Sequence, residues 1–161
     1  MSLVPATVRW WGNDRSVANG REELRCEIAG ALGSLTPGRF AIVDYAPGSG
    51  GDAPFAQAAL EPTGWYLEVV SDHYLPREDW PIDEMVLRRT GWVLPPEGAD
   101  NWYRYEDSQT EVERLALPLL DALVEGRRCD RGGEFRVTTG RFPAGPDGGE
   151  PRPIPQALAA A

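Results

Sequence analysis

Apolar positions recur along this chain in two rhythms, and the change from one to the other marks out the elements. Between residues 20 and 35 the run GREELRCEIAGALGSL spaces Leu24, Ile28, Leu32 and Leu35 three or four apart. That spacing puts them on one stripe of an amphipathic helix. Glu22 and Glu23 stand in its expected first turn, where the helix dipole favours acids, and Thr36-Pro37-Gly38 ends it. The rhythm then shortens to two. RFAIVDYAP at 39–47 is β-branched and aromatic between Pro-Gly breaks and predicts a strand. FAQAALE at 55–61 predicts a second, weakened by its alanines. In WYLEVVSD at 65–72, Trp65, Leu67 and Val69 alternate with Tyr66, Glu68 and Val70. Links this short imply an antiparallel meander, because a parallel pair needs a long crossover.

PIDEMVLRRTG predicts a short helix, opened by Asp79 and Pro81 and closed by Gly91 as a left-handed cap, with Arg88 and Arg89 in its last turn. NWYRYED at 101–107 reads as a fourth strand. TEVERLALPLLDALVEG at 110–126 is the last helix, with Thr110 and Glu113 as a capping box and Pro118 as a kink. The sum is an α+β domain: an antiparallel sheet of about four strands flanked by three helices. Three regions follow: an N-terminal extension at 1–19, the α+β domain at 20–126, and a tail at 127–161 rich in Gly, Pro and Arg. The tail reads as largely disordered, with one short strand conceivable at 134–139.

Composition removes several classes of chemistry. The 161-residue chain carries a net charge of −9, which argues against a phosphate-binding surface and so against nucleic acid. All sixteen basic residues are arginine, so no Walker lysine, Schiff-base lysine or Ser-Lys pair is available. No apolar run is long enough to span a membrane, and MSLVPATVRWWGNDR lacks the apolar core of a signal peptide. The expected setting is the cytoplasm. Cys26 is expected on the apolar side of the first helix and Cys129 in an exposed Arg-rich turn. One histidine and two distant cysteines are a poor set for a metal, and neither metal nor cofactor is expected. The glycine-rich PGSGGD at 47–52 has no lysine or helix start after it and reads as a hairpin loop.

The lone His73 follows Ser71 and Asp72, but three adjacent residues do not place their side chains in relay. A hydrolase or transferase built on His73 with Asp72 or Glu68 is one alternative; a small-ligand sensor with an aromatic pocket is another. The aromatic set is the stronger feature. Trp65, Trp92 and Trp102 are expected to bury and to lock the middle helix onto the sheet. Tyr103 and Tyr105 lie two apart and share the face opposite Trp102. With Tyr66, Glu68 and Tyr74 they are the candidate partner contacts, while Gly91 and Asn101 join the tryptophans as residues that shape the scaffold.

The order EVVSDHYL, a short helix, TGWVLPP and then NWYRYED resembles the TY-Chap group, domains similar to type III secretion chaperones and the YbjN-like proteins of bacteria. The matching positions are Glu68, Val70, Ser71, Leu75, Gly91, Trp92, Pro95, Pro96, Asn101 and Trp102. Thr90 stands where that group commonly has leucine and Asp72 where asparagine is frequent. The resemblance implies a type III secretion chaperone-like α+β fold, a tendency to form homodimers, and binding of a partner polypeptide, a secreted effector or toxin among the candidates, in place of catalysis.

Overall fold

The structure, a computed structural model, describes residues 6–9, 15–46, 52–95, 100–129 and 134–141. The connector at 47–51, Pro96 and residues 142–161 lie outside the described residues. The elements are β1 (Ala6–Arg9), α1 (Arg15–Gly33), β2 (Arg39–Ala46), β3 (Phe55–Glu61), β4 (Gly64–Val69), α2 (Glu84–Arg89), β5 (Trp102–Glu106), α3 (Val112–Asp121) and β6 (Glu134–Arg141). All strands join one antiparallel sheet of six, in the order β1-β6-β2-β3-β4-β5. The α+β class read from the pattern is the class observed, with six strands in place of about four.

The added strands lie in the two regions expected to stand outside the domain. β6 pairs with β2 from Arg39↔Arg141 to Ala46↔Glu134, so residues 134–141 are interior sheet and not tail. The cause is a two-residue alternation in EFRVTTGR: Phe135 and Val137 are buried, and Arg136 between them is exposed. Flanking Gly, Pro and Arg hide that rhythm in the composition. β1 pairs with β6 and brings residues 6–9 of the expected extension to the sheet edge.

Two helix starts also shift. α1 begins at Arg15, so Glu22 and Glu23 sit in its interior, and Glu22 pairs with Arg25 one turn on. Val17, seven positions before Leu24, continues the apolar spacing that the reading from residue 20 left out. α2 starts one turn later than Asp79 and Pro81 suggest: Asp83 is its N-cap, its Oδ1 accepting the Val86 N–H at 3.1 Å. The capping box at Thr110 and Glu113 does not form. Glu111 holds the N-cap position of α3 without a side-chain bond, and the Thr110 N–H donates to the Asp107 carbonyl at 3.0 Å.

α3 keeps Pro118 inside it, and the irregularity falls a turn later. Ala122–Gly126 is a single π-helical turn, closed by the Arg127 N–H donating to the Ala122 carbonyl at 2.8 Å. α1 and α3 run antiparallel. Arg21 pairs with Asp121 and, at 3.2 Å, with Glu125, while at the other end Gly33 lies beside Val112. Leu24, Ile28 and Leu32 of α1 and Leu115, Leu119, Leu120 and Leu123 of the second layer close over Ala41, Val43, Ala58, Leu67 and Val69 of the sheet. Cys26 is exposed, because it lies about 200° around the helix from both Leu24 and Ile28. Cys129 is the buried thiol. Both placements reverse the sequence expectation.

Candidate functional site

Register sorts the aromatic residues onto two faces. β5 pairs with β4 as Val69↔Trp102, Glu68↔Tyr103, Leu67↔Arg104, Tyr66↔Tyr105 and Trp65↔Glu106. Residues opposite one another in an antiparallel pair point the same way. Trp65, Leu67, Val69, Trp102 and Arg104 therefore face the helices, and Tyr66, Glu68, Tyr103 and Tyr105 face away from them. β3 continues the second face through Gln57, opposite Glu68, and Ala59, opposite Tyr66.

On the helix side Trp65, Trp92 and Trp102 are all buried. The end of α2 explains how Trp92 arrives there. The Trp92 N–H donates to the Leu87 carbonyl at 3.0 Å and the Gly91 N–H to that of Arg88 at 3.2 Å, with Gly91 at φ 91°. This six-to-one and five-to-two pair is a Schellman motif, which needs a positive φ at the glycine position and brings the following side chain back against the helix. Val93 then exchanges both backbone bonds with Tyr103 at 2.9 Å. Two arginines cross between the elements. The Arg88 guanidinium of α2 lies 5.1 Å over the Trp102 ring, and that of Arg104 in β5 lies 5.8 Å over Trp92. Arg104 also donates to the Thr90 carbonyl at 2.6 Å and to Glu106 at 3.0 Å. Below, Leu87 packs against Gly126 of the π turn so closely that a Cβ there would sit 2.7 Å from Leu87 Cδ2. Asn101 accepts the Ser71 N–H at 3.1 Å, tying the start of β5 to the segment after β4.

On the far face the tyrosines touch one another. Tyr66 and Tyr105 have ring centroids 5.0 Å apart, Tyr103 and Tyr105 5.7 Å, and Tyr66 and Tyr103 6.2 Å. Tyr105 is 66% exposed; Tyr66 and Tyr103 are half-buried. Glu68 lies beneath them, 8% exposed. It accepts the Tyr66 hydroxyl at 2.8 Å and the Gln57 amide on its other oxygen. Burial pushes the Glu68 carboxyl above the usual range, against those two donors, and Asp100 adds to the push while the Asn101 amide opposes it. Tyr66 is raised by its own burial and by Glu68.

Four of the five candidate contacts, Tyr66, Glu68, Tyr103 and Tyr105, thus form one cluster. Tyr74 is not in it: its ring meets His73 edge-on at 4.6 Å, on the irregular segment after β4. Gln57 escaped the sequence reading. It is a polar residue in an alanine-rich strand, and only the 57↔68 register shows that it faces Glu68. Asp44 is a second such residue, on the same face and opposite Arg136. Burial pushes it up to about 6, with Arg136 pulling the other way. Trp80 is buried as well, edge-on to Tyr45 at 5.7 Å, and its Nε1 donates to the Asp52 carbonyl at 3.0 Å.

Ser71, Asp72 and His73 are not joined in a relay. Ser71 is buried, the Asp72 carboxylate is held by Arg77, and the His73 ring is exposed against Tyr74. Two grooves, one along Pro81–Met85 with Arg128 and one between Glu23–Ser34 and β6, do not include His73. Among the described residues no group of His, Cys, Asp and Glu is placed to hold a metal, and no helix is long and apolar enough to cross a membrane.

The sheet thus carries its helices on one face and a tyrosine and carboxylate cluster on the other. The family described as T3SS (YopN, CesT) and YbjN peptide-binding chaperone 3 matches residues 14–129, and the chain belongs to it. That range takes in α1 through α3 and leaves β1 and β6 outside. No curated protein matches the chain, and no solved structure does.

Proposed function

We propose that this chain is a non-catalytic, chaperone-like module that holds a polypeptide segment of a partner, a secreted effector or toxin being the kind of client its family suggests. The segment lies on the helix-free face of β4 and β5. The observation that carries the reading is the contact of Tyr66, Tyr103 and Tyr105 above buried Glu68. Tyrosine offers a large, stiff, amphipathic surface with few rotors to freeze, which is why it is enriched where proteins meet. Membership in a peptide-binding family supports the same assignment. A homodimer working in the cytoplasm completes the proposal, in line with the resemblance read from the sequence.

The test is selection of binders from a displayed library of short extended peptides, followed by affinity measurements on wild type and on Tyr103→Ala/Tyr105→Ala. The double variant should lose at least about tenfold in affinity while melting close to wild type, because one of its two sites is mostly solvated. Peptides that bind the double variant as well as wild type overturn the placement. Sedimentation equilibrium decides the dimer: a single species at monomer mass across concentrations removes it.

A further inference from the structure

Beyond the helices, Glu68 and Gln57 keep acceptor capacity to spare. Glu68 accepts from Gln57 on one oxygen and from Tyr66 on the other, with the Asn101 amide beside it, although a carboxylate offers about four lone-pair positions. Gln57, 4% exposed, commits its amide nitrogen to Glu68 and leaves its Oε1 buried with no donor among the described residues. The further charge acting on Glu68 is that of Asp100, another acid. Among the described residues Glu68 makes no ion pair, whereas Glu22, Asp72, Glu84, Asp121 and Glu125 each have an arginine. A buried carboxylate ordinarily has a cation beside it. Here the place beside it is walled by tyrosine rings, whose faces attract cations.

We infer that Glu68, with Gln57 beside it and the rings of Tyr66, Tyr103 and Tyr105 around it, is the seat for an arginine side chain of the bound polypeptide. This rests on the peptide-binding reading above and adds to it a rule of selection. Arginine fits better than lysine for three reasons. Its guanidinium is flat and stacks on a tyrosine ring. It is weakly hydrated, so leaving water for a half-buried surface costs less. It also carries five donors, against the two unfilled needs of Glu68 and Gln57. The net charge of −9 draws cationic segments toward the chain before contact.

The seat couples binding to a proton. Burial favours the neutral carboxyl of Glu68, whereas a guanidinium favours the carboxylate. Binding therefore displaces a proton and tightens as the pH rises through the titration of Glu68. The groups facing it are Gln57 from β3, Tyr66 from β4, Asn101, Tyr103 and Tyr105 from the β5 segment, and Asp100. Tyr66 and Tyr105 are held above the ordinary phenol range and stay neutral throughout.

The experiment is a heteronuclear NMR titration of the full chain with N-acetyl-arginine methylamide and with its citrulline counterpart, which keeps the shape and loses the charge. The arginine compound should move the resonances of Gln57, Tyr66, Glu68, Tyr103 and Tyr105, with saturation at millimolar levels, and should bind more tightly at about pH 8 than at about pH 5. Glu68→Gln, nearly the same size, should weaken it roughly tenfold, the scale of one charge-assisted hydrogen bond. Equal shifts from the arginine and citrulline compounds on wild type overturn the seat, whatever becomes of the variant's stability. So does an arginine compound that shifts none of these residues. In either case peptides selected above that still depend on Tyr103 and Tyr105 leave the binding surface standing, so the two ideas fail separately.

Discussion

β5 shows two kinds of aromatic chemistry one residue apart. Toward the helices it presents Trp102, fully buried, with Arg88 of α2 laid over its ring. Toward the other side it presents Tyr103 and Tyr105, which stack with Tyr66 and remain partly solvated. The inner pair does its work by being inaccessible: an indole excludes water, and an arginine from the opposite element covers it. The outer set keeps hydroxyls and ring faces available. Because side chains alternate along a strand, a change at 102 and a change at 103 report on different sides of one sheet. The comparison teaches that a dense run of aromatics is not one feature but two, separated by the pleat.

The comparison breaks most sharply at Trp102→Ala, which empties the largest fully buried side chain and should cost about 3–5 kcal/mol in urea unfolding. A melt near wild type would mean that the inner face is not what holds α2. Gly126→Ala probes the same side from below: the new methyl meets Leu87, and the expected loss is about 1–3 kcal/mol. Pairing it with Leu87→Val should recover part of that loss if the clash is the cause, so a double variant no better than the single would point elsewhere.

Asp44 sharpens the outer side. Its folded value of about 6 lies above the ordinary 3.8, so the native state holds the proton that the unfolded chain gives up between them. Stability from this group is therefore complete at low pH and falls as pH rises through about 6. Asp44→Asn should remove that fall and leave the protein about 1–2 kcal/mol steadier at neutral pH, after allowance for screening. Parallel pH–stability curves for the two proteins would refute it. The smallest effect is reserved for Tyr105→Ala, which should change stability by less than about 0.5 kcal/mol while weakening peptide binding. A large loss of stability would move Tyr105 from the contact surface to the scaffold.

Much of this division was legible in the sequence. The alternation WYLEVV and the pair Trp102/Tyr103 separate the two faces of each strand without coordinates, and register then brings Tyr66, Glu68, Tyr103 and Tyr105 together. What local pattern does not carry is register between strands, so Gln57 stayed anonymous until β3 was aligned with β4. Nor does it carry long-range pairing: EFRVTTGR has the rhythm of a strand, but nothing nearby says that its neighbour is β2, and disorder-prone flanks outweighed the rhythm. The partner of Trp80 is hidden for a related reason. That tryptophan lies in a stretch without periodicity, and its burial depends on Tyr45, from a distant part of the chain. Helix starts slipped where a plausible cap residue was one turn from the residue whose side chain makes the bond, as with Asp79 and Asp83.

The position of β6 between β1 and β2 has a consequence for how the molecule comes into being. Among the described strands β1 is translated first, yet its hydrogen-bonding neighbour in the sheet is the one translated last. Until that strand emerges, the nascent chain has only the β2-to-β5 meander to assemble, and the span that defines the family is already complete. β1 and β6 are thus a late, mutually dependent addition. A nonsense mutation just past residue 129 would remove β6 and leave β1 without its hydrogen-bonding neighbour.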